Sequence, residues 1–143
     1  RCADPLIFYR DERWWLLVNI DSSGSDEFCS ELHCFSSVEL FSGLWESHPL
    51  NPLIIDSATA RNGGFIFDGT DFFRVFQKQG FNMYGRGFGI AKIVEINLEN
   101  YSEKSIYEMS RPVNGLDGIH TFNHSNGLTV CDGAKRVRVG KYH

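Results

Sequence analysis

Apolar positions come in short runs, β-branched or aromatic, and the runs are bounded by Asp-Gly, Asn-Gly and Ser-Gly signals. The pattern predicts an all-β domain with almost no helix. "LIFYRDERWWLLVNI" reads as two strands joined at Asp11-Glu12, and "GFIFDGTDFFRVFQK" as two joined at Asp68-Gly69, where glycine supplies the positive φ of a tight turn. "IHTFNHSNGLTVCDG" repeats the plan around Ser125-Asn126-Gly127. Phe8, Phe67 and Phe122 mark the three hairpins at intervals of 59 and 55 residues. A repeat of that length, about four strands per copy, is the signature of propeller blades.

The gaps fill in accordingly. "ELHCFSS" and "LWESHP" supply third and fourth strands after the first hairpin, "FGIAKIVEINL" and "SIYEMSR" after the second, and "KRVRVG" follows the third. The expected units are 1–56, 57–113 and 114–143, the last one strand short. Two blades and most of a third are too few to close a ring, since propellers use about 4–8. The chain opens without Met and runs straight into a strand, as a piece of a longer protein would.

Composition changes this picture little. At 143 residues and a net charge of −4, with basic residues scattered except for Lys135-Arg136-Val137-Arg138, the chain carries no electrostatic footprint for nucleic acid. No apolar run approaches the ~20 residues of a membrane helix, and the start lacks the basic-then-apolar layout of a signal peptide. Cys2, Cys29, Cys34 and Cys131 lack the dense pattern of a disulfide scaffold and are expected to be buried free thiols. Neither the Cys29–His33–Cys34 cluster nor the His120/His124 pair has a strong zinc spacing, so no metal or cofactor is expected.

Candidate chemistry follows from the blade plan. First strands line the channel of a propeller, so residues just ahead of them gather at one mouth: Asp4, Arg61, and Asp117 with His120. Proline after Asp4 is expected to hold it extended and to fix how its carboxylate is offered. Asp-Pro reads equally as an ordinary turn leading into a strand. Of the aromatic residues, Trp14 and Trp15 must point to opposite faces of one strand. Tyr84, after the glycine-bounded "QGFNMYGRG", is the one expected to touch a ligand.

"ADPLIFYRDERWWLL", "ELFSGLWESHPLNPLI", "TARNGGFIFDGTDFFRVFQ", Tyr84-Gly85 with "IVEINLENYSE", and "DGIHTFN" together, in this order, resemble the five-bladed β-propellers related to family 43 glycoside hydrolases. The branch they are most similar to is the amino-terminal domain of glucosamine inositolphosphorylceramide transferases and bacterial relatives. The resemblance covers nearly the whole chain, and its most distinctive part is Trp45 to Pro52. It implies that blades three to five are present and that blades one and two, with their carboxylates, are not.

The resemblance also implies site residues. Asp4 and Glu95 are the implied catalytic carboxylates, for a chemistry that needs two such groups about 5–5.5 Å or 6.5–9.5 Å apart. A solvated or salt-bridged strand residue is the other reading of Glu95. Arg61, Gln77, Tyr84 and His120 are the implied substrate-binding residues. Asn62-Gly63 stands where the family has Pro-Ala, and Lys78 where it has Asp after the glutamine. Two functions result: a carbohydrate-active domain that acts on or holds a glycosidic substrate and is inactive as this fragment, or a non-catalytic carbohydrate-binding or accessory domain of a glycosyltransferase. Expected partners are a carbohydrate or glycoconjugate, and either the remaining blades or a second copy covering exposed blade faces.

Overall fold

The structure is a computed structural model that describes residues 1–80, 83–109, 115–135 and 137. Among them there is no helix, hence none long and apolar enough to cross a membrane. The chain is all-β.

Strands β1 (Cys2–Arg10), β2 (Arg13–Ile20), β3 (Glu31–Ser37) and β4 (Glu46–Ser47) form an antiparallel meander in chain order, and β5 (Ile54–Ile55) pairs with the other end of β3. A second meander runs β6 (Asn62–Phe67), β7 (Phe72–Gly80), β8 (Met83–Ile96), β9 (Tyr101–Glu108). The third unit contributes β10 (Phe122–Ser125) and β11 (Leu128–Cys131). It joins the second sheet through a parallel bridge from His124 to Ile66. The first strands β1, β6 and β10 are therefore neighbours, with β6 in the middle. Of "KRVRVG", Lys135 and Val137 alone are described, and the segment's expected strand lies outside the described residues.

All three expected hairpins are present, and their turns differ in chemistry. Asn126 and Gly127 have φ of 50° and 78°, the paired positive values that a two-residue hairpin turn demands. Asp11 and Glu12 take the same turn at 51° and 60° without a glycine. Between Asp68 and Asp71 the loop is longer, and the Asp68 carboxylate accepts the N–H groups of Thr70 and Asp71.

Two cores lie on opposite faces of the second sheet. On β7, Phe72 faces the first sheet with Phe8, Trp15, Leu17, Leu32 and Ile93, while Val75 faces the third unit with Phe88, Ile119 and Phe122. Strand alternation sends neighbouring residues to opposite sides, so a sheet buried on both faces needs apolar residues at both parities. Trp15 is buried and donates from Nε1 to the Arg10 carbonyl, while Trp14 packs against Tyr9 on the other face.

The Trp45–Pro52 stretch has a structural role. The fourth-strand position beside β3 is split between β4 and β5, and Asn51 bridges the break: its Oδ1 accepts the Cys34 N–H and its Nδ2 donates to the Cys34 carbonyl, both at 2.7 Å. One side chain thereby takes the place of a strand's main chain. Buried His48 fastens the same loop to the β8–β9 turn, its Nε2 lying 3.0 Å from the Asn97 carbonyl while Nδ1 accepts the Leu50 N–H.

All four cysteines are unpaired, but only Cys34 is buried; Cys2 and Cys131 are exposed and Cys29 is half-buried. The expectation of uniformly buried thiols is corrected because Cys2 and Cys131 stand at strand ends, where no second layer covers them.

Candidate functional site

Asp4 lies within β1, not ahead of it. The β1–β2 register shifts between Ala3 and Leu6, so Asp4-Pro5 forms an irregularity that takes the carboxylate out of the ladder. Its φ is 50°, in the left-handed region that aspartate tolerates better than most residues, which corrects the expectation of extended geometry. Proline excludes the right-handed helical conformation, and the surrounding bonds select among the rest. Asn62 Nδ2 donates to the Asp4 carbonyl at 2.9 Å, and Arg61 Nε donates to Asp4 Oδ2 at 2.8 Å.

Arg61 immediately precedes β6. Its Nη1 also reaches Cys29 Sγ at 3.2 Å. Burial works against the guanidinium charge, but the contacts with Cys29 and Asp4 outweigh it and raise the Arg61 pKa. For Cys29 burial dominates and pushes the thiol up despite Arg61, so Cys29 is a neutral hydrogen-bonding partner and not an activated nucleophile.

Behind this pair is a polar hub that the sequence pattern does not reveal. Asn19 and Asn62 are both buried. Asn19 donates to the Glu31 and Ala60 carbonyls and accepts the Asn62 N–H; Asn62 donates to the carbonyls of Asp4 and Leu17. Fully buried Arg74 donates to the Glu103 carboxylate and to the Thr59 and Ala60 carbonyls. The signal available in the sequence was an Asn at the first position of β6 and one at the penultimate position of β2, each next to a run of residues without charge.

Gln77 is fully buried, and its Nε2 donates to the Asn62 carbonyl at 2.7 Å. It holds β7 to β6, and no face of it is open to a ligand. His120 is half-buried at the mouth of β10 and pairs with Asp132, Nδ1 to Oδ2 at 3.2 Å. Burial pushes the Asp132 carboxyl up, but the N–H donors of Thr121 and His120 and the neighbouring imidazole outweigh it and hold it below its ordinary range. The side chain of Tyr84 lies outside the described residues.

Asn62-Gly63-Gly64 is bordered by the Asp4–Arg61 pair, by Gln77 and by the main-chain carbonyl of His120. A Cβ on Gly63 would stand 3.0 Å from Gln77 Cγ and 3.2 Å from the His120 carbonyl oxygen. At Gly64, with φ of 143°, a Cβ would fall 2.0 Å from the Phe122 carbonyl oxygen. Both positions are glycine because the main chain around β10 comes into direct contact with β6 here. A shallow cavity of about 220 Å³ opens here, lined by Asp4, Pro5, Leu6, Asn62, Thr121 and Asn123 together with the two glycines.

Glu95 is not part of this group. Asn62 stands opposite Phe76, and Phe76 opposite Gly89, whereas Glu95 lies six residues farther along β8. At about 3.3 Å per residue that is roughly 20 Å from the level of Asp4, well outside the separations of about 5–9.5 Å that serve glycoside hydrolysis. Its carboxylate is exposed and accepts Asn97 Nδ2. The expected carboxylate pair of Asp4 and Glu95 is therefore corrected: β8 continues past the β6–β7 hairpin and takes Glu95 to the opposite end of the sheet. Among the described residues, no group of three or more His, Cys, Asp or Glu side chains is arranged to hold a metal ion.

At that opposite end, Tyr9, Phe67, Leu128 and Val130 are exposed and line an apolar groove of about 590 Å³ with Phe65 and Phe72. Comparison with protein-family models, with curated proteins and with solved structures finds no match for this chain.

Proposed function

We propose that the chain is the greater part of three blades of a five-bladed propeller related to family 43 glycoside hydrolases, and that it holds a glycosidic substrate at the Asp4–Arg61 corner without hydrolysing it alone. One observation carries the reading: β1, β6 and β10 lie side by side and bring Asp4, Arg61 and His120 to the same end. A guanidinium and a carboxylate so placed offer directional donors and acceptors to sugar hydroxyls. The meander order of the first two units suits blades, and the exposed apolar groove is the kind of surface that further blades or a second copy would cover.

A second reading, a non-catalytic carbohydrate-binding or accessory domain of a glycosyltransferase, is favoured by the position of Glu95. With that residue remote, Asp4 is the one implied carboxylate at the corner, and its Oδ2 is already taken up by Arg61.

The deciding experiment assays a panel of aryl glycosides, and binding of the corresponding free sugars, with this chain and with the full-length protein. Turnover by the full-length protein that Asp4→Asn abolishes, with binding but no turnover by the chain, supports the first reading. Binding without turnover in both supports the second. Absence of sugar binding by either form would falsify both.

A further inference from the structure

Two Asn-x-Ser triplets occur in the chain, Asn100-Tyr101-Ser102 and Asn123-His124-Ser125. Both fit the acceptor pattern for N-linked glycosylation, which is met productively at exposed turns. We propose that Asn100 is an acceptor site for an N-linked glycan and that Asn123 is not.

Asn100 closes the β8–β9 turn. Asn97 Oδ1 accepts the N–H groups of Glu99 and Asn100, and the Asn97 N–H donates to the Asn100 carbonyl, so main-chain bonds hold the turn without requiring the Asn100 carboxamide. Asn100 and Ser102 are exposed, while Tyr101 between them turns inward and donates its hydroxyl to Glu103. Alternation thus puts the amide and the hydroxyl of the triplet on one solvent-facing side.

Asn123, with Ser125, is exposed as well, and what sets it apart is its carboxamide. Its Oδ1 accepts the Phe65 N–H at 3.0 Å, fixing the carboxamide where β10 meets β6 and where it borders both the candidate site and the apolar groove. A glycan on its Nδ2 would have to be accommodated where the two strands meet, between the site and the groove.

In the modification, Asn100 Nδ2 attacks the anomeric carbon of a polyprenyl-pyrophosphate-linked oligosaccharide. The new C–N bond replaces the C–O bond to pyrophosphate, the polyprenyl pyrophosphate leaves with the bonding pair, and the amide gives up one proton. The consequence lies at β9, an edge strand beside exposed Val94, Leu98 and Ile106. Edge strands are templates for unwanted pairing, and a hydrated glycan at the start of this one blocks it. The attachment point lies at the Glu95 end and leaves the Asp4–Arg61 corner open.

The test expresses the 143-residue chain behind a cleavable secretory leader in a eukaryotic host and reads the intact mass of the secreted protein before and after peptide N-glycosidase. The expected result is one glycan, with enzymatic release leaving Asp at position 100. Asn100→Gln and Ser102→Ala each abolish it, Ser102→Thr retains it, and Asn123→Gln leaves it unchanged. For variants the host retains, translation with microsomes reads the same shift on a gel without requiring export. Absence of any glycan on the wild type in both systems, or a glycan that survives Asn100→Gln, overturns the proposal.

Discussion

Arg61 Nε donates to Asp4 Oδ2 at 2.8 Å across 57 residues of chain, tying the irregularity in β1 to the start of β6. The bond joins the first strands of two units at the point where the candidate site opens. Both side chains are more than two-thirds buried, at 29% and 15% exposed for Asp4 and Arg61. The pair is accordingly expected to couple more strongly than a surface ion pair.

Asp4→Asn keeps a residue that tolerates the left-handed conformation and preserves the carbonyl that Asn62 reaches. It removes the charge alone. A double-mutant cycle of Asp4→Asn with Arg61→Gln, read by urea denaturation, is expected to show a coupling of about 1–2 kcal/mol, between the values for exposed and buried pairs. Additive effects would mean that the two residues are neighbours without being partners.

Removing the partner of Arg74 should be far more costly. Glu103→Ala leaves a fully buried guanidinium with carbonyl contacts but no counter-charge. The expected loss is about 3–5 kcal/mol. Replacing both residues with apolar ones of similar volume, Arg74→Met with Glu103→Leu, should recover much of it. A double variant as unstable as Glu103→Ala would show that the carbonyl bonds of Arg74, and not the charge pair, hold this part together.

Acid should loosen two specific places first. The Ala58 N–H, followed by the Thr59 hydroxyl, lowers the Asp56 carboxyl. At Asp132 burial acts upward, but the Thr121 and His120 donors win. Both folded values lie below the unfolded one of about 3.9. Their stabilisation is complete above that value and is lost as pH falls through the lower folded values. Amide exchange at Ala58 and Thr121 should therefore accelerate below about pH 4 relative to core amides, and Asp56→Asn and Asp132→Asn should each flatten that dependence at its own site. Uniform acceleration across the chain would point to global unfolding instead.

These predictions fall largely on residues whose roles a linear pattern hides. The hairpins at Asp11-Glu12, Asp68-Gly69 and Asn126-Gly127 were legible because turn chemistry and strand alternation are local. The four-strand order of the first two units was legible from the spacing. Arg61 and His120 precede β6 and β10, whereas Asp4 lies inside β1, because the strand there extends past the apolar run. Gln77 was not legible: a polar residue in a strand reads as a ligand group or as a buried bond depending on which layer covers it, and here the third unit does. Asn19 and Asn62 look like interruptions of apolar strands until tertiary structure turns them into each other's partners. Glu95 was misplaced because strand length, and not strand order, sets how far along the sheet a residue lies; β8 runs 14 residues against six for β6.

The Asn62 hub gives a test of that distinction. Asn62→Ala removes donors from the Asp4 and Leu17 carbonyls and a partner from Arg74, while leaving its own main-chain bonds to Asn19 and Gln77 in place. With unsatisfied buried groups worth about 1–3 kcal/mol each, the variant is expected to lose about 2–4 kcal/mol. It should also loosen Asp4, which a fall in sugar affinity would report alongside the fall in stability. Unchanged stability would mean that water replaces the carboxamide and that the hub is not a closed network.

Packing at the centre of the second sheet supplies the last prediction. Gly89 faces Phe76 across β7 and β8, and a Cβ on Gly89 would come within 2.1 Å of the Phe76 Cζ. Phe76 is itself 1% exposed and lies under the Arg74 guanidinium, at 5.5 Å from Cζ of the arginine to the ring centre, so it has no room to swing aside. Gly89→Ala is thus expected to cost about 3 kcal/mol, at the upper end of what overpacking does, even though alanine is the smaller strain on a strand backbone. Phe76→Leu shortens the ring that causes the clash and should on its own cost about 1–2 kcal/mol in lost contacts. Combined, the two should be less destabilising than the sum of the single changes by at least about 1 kcal/mol, because each relieves the defect of the other. Strict additivity in chemical denaturation would show that the glycine is required by the backbone of β8 itself and not by the ring it faces.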